Sequence, residues 1–115
     1  MKINAVLYLL LAITSFTGWA SERSEQAWGL IEQGAFLVDV RTPGEFSQGH
    51  LTGSTNYPLN TIDTAFNNID KATPIVVYCR SGNRSGQAMS YLRQAGFTQV
   101  YNGGGLEEMQ STQPK

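Results

Sequence analysis

The run Pro74-Ile75-Val76-Val77-Tyr78 constrains this chain more than any other feature. It is short, β-branched and uninterrupted, and it passes straight into Cys79-Arg80-Ser81-Gly82-Asn83-Arg84. Such a run reads as a strand buried on both faces. From about residue 85 to residue 95 the pattern turns helical, with Ala88, Met89 and Leu92 on the inward side. A buried strand joined by a tight turn to a helix is half of a unit that places strands parallel in one sheet.

The rest of the chain repeats that alternation. Residues 24–33 read as a helix with Ser21 or Ser24 as cap and Ala27, Leu30 and Ile31 on one face, closed by Gly34. Phe36-Leu37-Val38-Asp39-Val40 is a second buried strand, and Pro43 is well placed to open a helical turn. A short strand fits near 54–57. Thr61 is expected to cap a helix carrying Ile62, Ala65, Phe66 and Ile69 at i, i+3, i+4, i+7 spacing. Residues 99–101 form a last strand, Gly103-Gly104-Gly105 a turn, 106–109 a short helix, and 110–115 a frayed tail. The fold class is α/β: a small parallel sheet of four to five strands with helices on both faces.

The N-terminus is of another kind. Lys2 is the only charge before Glu22, residues 3–13 are almost entirely apolar, and Gly18-Trp19-Ala20 puts small side chains at −3 and −1 of a signal-peptidase site. A membrane span needs about 20 apolar residues, more than this run holds. Residues 1–20 therefore read as a cleavable signal peptide, cut after Ala20, and 21–115 as one domain; a retained anchor is the competing reading. Over the whole chain, 8 Lys plus Arg against 9 Asp plus Glu give a near-neutral balance. That excludes the basic surplus of a nucleic-acid partner, so an anion must be held by local geometry.

The single cysteine rules out an intramolecular disulfide, a cysteine metal cluster and a self-contained thiol–disulfide oxidoreductase. Cys79 falls at the carboxyl end of the strongest strand, where open α/β sheets bind ligands. The loop after it can curl so that successive N–H groups point inward. The following helix adds positive potential at its N-terminus, and Arg80 and Arg84 add two cations. Such surroundings lower a cysteine pKa from about 8.5 to as low as about 3.5. Cys79 is thus expected to be a thiolate nucleophile rather than a buried small hydrophobe.

Three ordered blocks resemble the rhodanese family of sulfurtransferases. They are Val38-Asp39-Val40-Arg41 with Glu45-Phe46, Gly49-His50-Leu51, Gly53-Ser54 and Asn56-Tyr57-Pro58; Val76 through Ser85; and Gly96-Phe97, Val100-Tyr101 and Gly103-Gly104. In size and export signal the chain resembles the short phage-shock-type periplasmic thiosulfate sulfurtransferases of bacteria. The resemblance implies a rhodanese-like domain, a periplasmic location and a persulfide cycle on Cys79. Thiosulfate would be the sulfur donor, and a thiol or cyanide the acceptor. Cys79 would be catalytic, with Arg80, Ser81, Gly82, Asn83 and Arg84 binding substrate. No cofactor, metal, nucleic acid or stable membrane association is implied, and a monomer is expected.

Loop length separates related chemistries. The resemblance associates a six-residue loop with sulfur transfer and a loop one residue longer with phosphatases and arsenate reductases; here a Cys-x5-Arg pattern would need Arg at position 85, which is Ser85. A carrier module passing sulfur to a protein partner is the other alternative. Arg84 stays open between lining the pocket and pairing with Asp39 or Glu45. Asp39 and Arg41 are expected to form ion pairs that hold loops, His50 to be structural, the glycine run to pack beside the site, and Trp28 to be core or surface.

Overall fold

A computed structural model describes residues 22–115; the expected signal peptide and the Ser21 cap lie outside the described residues. The described residues begin with α1 (Glu22–Glu32), β1 (Phe36–Asp39), α2 (Pro43–Ser47) and β2 (Thr55–Asn56). A 3-10 turn (Leu59–Thr61) leads into α3 (Ile62–Ala65), β3 (Ile75–Cys79) and α4 (Asn83–Gln94), and the chain closes with β4 (Val100–Gly105) and α5 (Leu106–Ser111). The four strands pair in parallel in the order β2-β1-β3-β4.

β3 is central and all five of its residues are buried. Because strand side chains alternate, Ile75, Val77 and Cys79 face one side, packed with Ala88 and Leu92 of α4 and Ile62 and Phe66 around α3. Val76 and Tyr78 face the other, with Ala27 and Trp28 of α1 and Met109 of α5. Trp28 is core, and its indole N–H donates to the Met109 carbonyl at 2.8 Å. Burial pushes the Tyr78 hydroxyl up to about 12, so it stays protonated. It accepts the Leu51 N–H at 3.0 Å and bonds the Ser54 hydroxyl at 3.0 Å.

Several sequence expectations are corrected here. Ser24 is a buried residue inside α1, not its cap. The helix expected after Thr61 is one turn long, and the Thr61 hydroxyl donates to the Pro58 carbonyl at 2.7 Å instead of capping. Asn67 and Asn68 follow, residues that compete for backbone hydrogen bonds; one turn suffices to bring Ile62 and Phe66 into the core. The glycine run is strand rather than turn. Val77 pairs with Asn102 but Tyr78 with Gly104, so Gly103 is an extra residue at a bulge. The tail is held further than expected: α5 reaches Ser111, and the Thr112 hydroxyl donates to Ser24 at 2.9 Å.

The carboxyl end of β1 is tied down by a buried ion pair. Arg41 forks onto Asp39, Nη2 to Oδ2 at 2.7 Å and Nε to Oδ1 at 3.0 Å, and Nη2 also reaches the Gly49 carbonyl at 2.7 Å. Removing one partner of a buried pair strands the other and typically costs about 3–5 kcal/mol. Asp39→Asn should accordingly lower the urea midpoint by that free energy divided by an unchanged m-value; an unaltered midpoint would show that the pair does not hold the loops.

Candidate active site

Cys79 is the last residue of β3, fully buried, and its sulfur is met by donors from the turn that follows. The Gly82 N–H lies 3.1 Å from Sγ, the Ser85 N–H 3.4 Å and the Ser85 hydroxyl 3.3 Å. Burial alone pushes the thiol up. The Ser85 hydroxyl and the Ser85, Ser81 and Gly82 N–H groups outweigh it, and the thiol sits below its ordinary value. The Ser85 hydroxyl has one proton and a second acceptor, Asn102 Oδ1 at 2.8 Å. It can turn to the sulfur when the sulfur is an anion.

The donors are aimed by the backbone. Gly82 takes φ +97°, which an L side chain rarely adopts, and so bends the chain from β3 into α4. Asn102 locks the bend from β4: Nδ2 donates to the Gly82 carbonyl at 2.9 Å, while Oδ1 also accepts the Gly104 N–H at 3.0 Å. Gly105 pairs with Cys79, and a Cβ there would collide with the Arg80 carbonyl oxygen. The bulge and the glycines thus let β4 press against the loop. α4 starts at Asn83, two residues before the sequence expectation, so the second half of the six-residue segment is helix N-terminus.

The loop side chains diverge. Arg80 is exposed and lines a cavity of about 510 Å³ together with Arg41, Glu45, Gly49 and Glu107. Cys79 does not line that cavity; its neighbour does. Ser81 is exposed, and its carbonyl accepts from Arg23 Nη2 at 3.2 Å. Asn83 accepts from Gln87 Nε2 at 3.2 Å on the exposed helix surface, so its side chain is not turned to the sulfur. Arg84 pairs with Glu45, one of the two carboxylates expected for it: Nη1 and Nη2 fork onto that carboxylate at 2.7 and 3.0 Å, while the side chain also lines a second cavity with Thr42, Leu59 and Asn60. That fork, with the Thr42 N–H and hydroxyl, pulls Glu45 down to about 2. Arg84 is held charged mainly by Glu45 and also by the charge on Cys79. His50 stays with α2, its ring stacked 3.6 Å from that of Phe46 and its Nδ1 2.8 Å from the Phe46 carbonyl. Among the described residues no cluster of His, Cys, Asp or Glu is arranged to hold a metal.

Ser85, Asn102 and Arg23 were not singled out from the sequence as groups serving the sulfur. Ser85 carried a signal, since a hydroxyl in the first turn of a helix sits within reach of an anion at that end. Asn102 carried a fainter one, a polar residue between a strand and a glycine run. Arg23 is 58 residues from Ser81 and had none.

Residues 23–112 match the Rhodanese-like domain family. The chain is 40% identical over 91 residues to a protein named thiosulfate sulfurtransferase GlpE of Pseudomonas entomophila, an alignment covering 78% of this chain and 84% of that one. It is 41% identical over 91 residues to the protein of the same name in Pseudomonas fluorescens Pf-5, with the same coverage. Among solved structures, a rhodanese with anions from E. coli superposes with a TM-score of 0.63 at 36% identity, covering 70% of this chain and 95% of that chain. This chain belongs to the rhodanese-like domain family.

Two outcomes follow from the geometry. Ser85→Ala removes the one side-chain hydroxyl that donates to Cys79, so the pH midpoint for alkylation of the thiol should rise while the fold persists; an unmoved midpoint would mean that the hydroxyl serves Asn102 alone. Glu45 is depressed on folding, so its contribution to stability is complete above the free carboxylate value of about 4.3 and is lost as pH falls toward about 2. In Glu45→Gln the loss of thermal stability over that window should shrink; an identical acid profile would place the bridge outside the energetics of the fold.

Proposed function

We propose that this rhodanese-like protein transfers sulfane sulfur from thiosulfate to a thiophilic acceptor through a persulfide on Cys79. One observation carries the reading: the chain's only cysteine is a buried sulfur surrounded by loop donors that favour its anion. Relatives named thiosulfate sulfurtransferase support the donor, and the related E. coli structure was solved with anions.

In the first half-reaction the Cys79 thiolate attacks the outer sulfur of thiosulfate. A new S–S bond forms, the bond within thiosulfate breaks, and sulfite leaves with its electron pair. The persulfide remains on Cys79. In the second, cyanide or a thiolate attacks the outer sulfur; thiocyanate or a new persulfide departs, and the Cys79 thiolate returns. Splitting the reaction over a covalent intermediate gives ping-pong kinetics. Neither step needs a general base if the thiolate is formed beforehand, which leaves His50 its stacking role. Fixed N–H groups stabilise the negative sulfur as an oxyanion hole does oxygen. Arg80, exposed on the cavity wall, attracts the dianionic donor, while the N–H groups of Ser81, Gly82 and Ser85 form the cradle. Arg84 acts from its bridge to Glu45.

We read residues 1–20 as a signal peptide removed after Ala20, which delivers the enzyme to the periplasm. Support comes from the short apolar run and its small-residue end. Among the described residues no helix is long and apolar enough to cross a membrane. The mature protein is taken as a monomer without stable membrane association.

Cys79→Ser should make no thiocyanate from thiosulfate and cyanide while keeping its melting temperature, because a hydroxyl at its normal pKa forms no persulfide; residual turnover at the parent rate would sink the proposal. Arg80→Ala removes a charge-assisted contact worth roughly 1.5–3 kcal/mol, so kcat/KM for thiosulfate should fall about ten- to hundred-fold. Unchanged efficiency would show that Arg80 does not meet the donor. Protein from cells should begin at Ser21; an intact Met1 end in the cell envelope would favour the anchor.

A further inference from the structure

The first and last helices of the described residues meet over the back of the catalytic loop. Arg23 of α1 forks onto Glu108 of α5, Nε to Oε2 at 2.8 Å and Nη2 to Oε1 at 2.9 Å. The same Nη2 donates to the Ser81 carbonyl at 3.2 Å. Glu108 is anchored in turn, since Oε1 accepts the Gly105 N–H at 3.1 Å. A pair this exposed, with Arg23 44% accessible, contributes little to global stability. Its geometry nevertheless fits closely: a Cβ at Gly82 would lie 2.6 Å from Arg23 Nη2, and one at Gly104 would lie 2.8 Å from Nε. The glycines leave the space that the guanidinium fills.

We propose that Arg23, anchored by Glu108, is a positioning residue for sulfur transfer: it holds the Ser81–Gly82 peptide so that the Gly82 N–H points at Cys79 Sγ. The inference rests on the reading of Cys79 as the nucleophile. In a trans peptide the C=O and the N–H point in opposite directions, and among the described residues no peptide is cis. Fixing the Ser81 oxygen outward therefore fixes the Gly82 N–H inward, 3.1 Å from the sulfur. The cation also polarises the peptide it touches, and a polarised amide is the better donor to an anion. Arg23 is held charged first by Glu108 and also by the charge on Cys79, so the coupling runs both ways. The other charged groups around the loop are Arg80 on the loop itself, Arg84 of α4 with its partner Glu45 of α2, Arg41 beyond the end of β1 and Glu107 of α5. None of these bonds the Ser81 carbonyl.

The test is the pH dependence of Cys79 alkylation by iodoacetamide in the intact protein, measured with the melting temperature for Arg23→Gln, Arg23→Lys and Glu108→Gln. Arg23→Gln should raise the midpoint by roughly half a unit to one unit, a three- to ten-fold slower alkylation below it, with a near-parental melting temperature. Arg23→Lys keeps the charge but not the fork and should recover less than half of that shift. Glu108→Gln frees the fork and should move the midpoint in the same direction. A parental midpoint in Arg23→Gln would overturn the proposal, as would full recovery by Lys, which would reduce the effect to a point charge. Should Arg23→Gln fail to fold, Glu108→Gln decides alone: a raised midpoint supports the proposal and an unchanged one ends it. The titration reads the thiol and not turnover. A parent protein without sulfur transfer would refute the functional reading and leave this shift standing.

Discussion

A buried sulfur that is to carry negative charge must exchange water for fixed donors, because an uncompensated anion in a protein interior is expensive. The hydrogen bonds from Gly82 and Ser85 to Cys79 Sγ make that exchange, and the rest of the structure serves them. The central strand holds Cys79 from below with apolar neighbours on both faces. The left-handed Gly82 turns the chain back over the sulfur, and Asn102 keeps it turned. The helix α4 then presents its first N–H groups where the charge develops.

Three ion pairs surround this arrangement and differ in kind. Asp39–Arg41 is buried and closes the end of β1. Glu45–Arg84 is half-buried, joining α2 to the first turn of α4. Arg23–Glu108 is the most exposed and joins the two ends of the described chain. Their contributions to stability should fall in that order, since solvent screening weakens an exposed pair. Their contributions to geometry need not, because a fork on a carbonyl or a carboxylate fixes direction as well as distance.

Local patterns made much of this legible in the sequence. The β-branched run from 75 to 78 announced a buried central strand, and the abrupt change to Cys-Arg-Ser-Gly announced the site at its end. That Asp39 and Arg41 would form ion pairs holding the loops was readable from charges at the end of a buried strand; that they pair with each other came from the fold. The glycine run misled because glycine is more often turn than strand, whereas here small residues are needed so that β4 can approach the loop. The helix after Thr61 was overextended because apolar spacing continued past the point where asparagines let the backbone leave the helix. Arg84 was undecided, since its partner depended on where α2 would come to rest. Arg23 was invisible and Asn102 only faintly marked, because their contacts span chain separations that only the fold closes. The expected export signal falls on residues that the structure does not describe.

The account is tested most directly by the intact mass of the protein after incubation with thiosulfate and removal of excess reagent, with no acceptor present. It predicts one added sulfur atom on the peptide containing Cys79, sulfite released in equal amount, and loss of that sulfur on adding cyanide. An unchanged mass, or sulfite release without a sulfur-bearing protein, would contradict it.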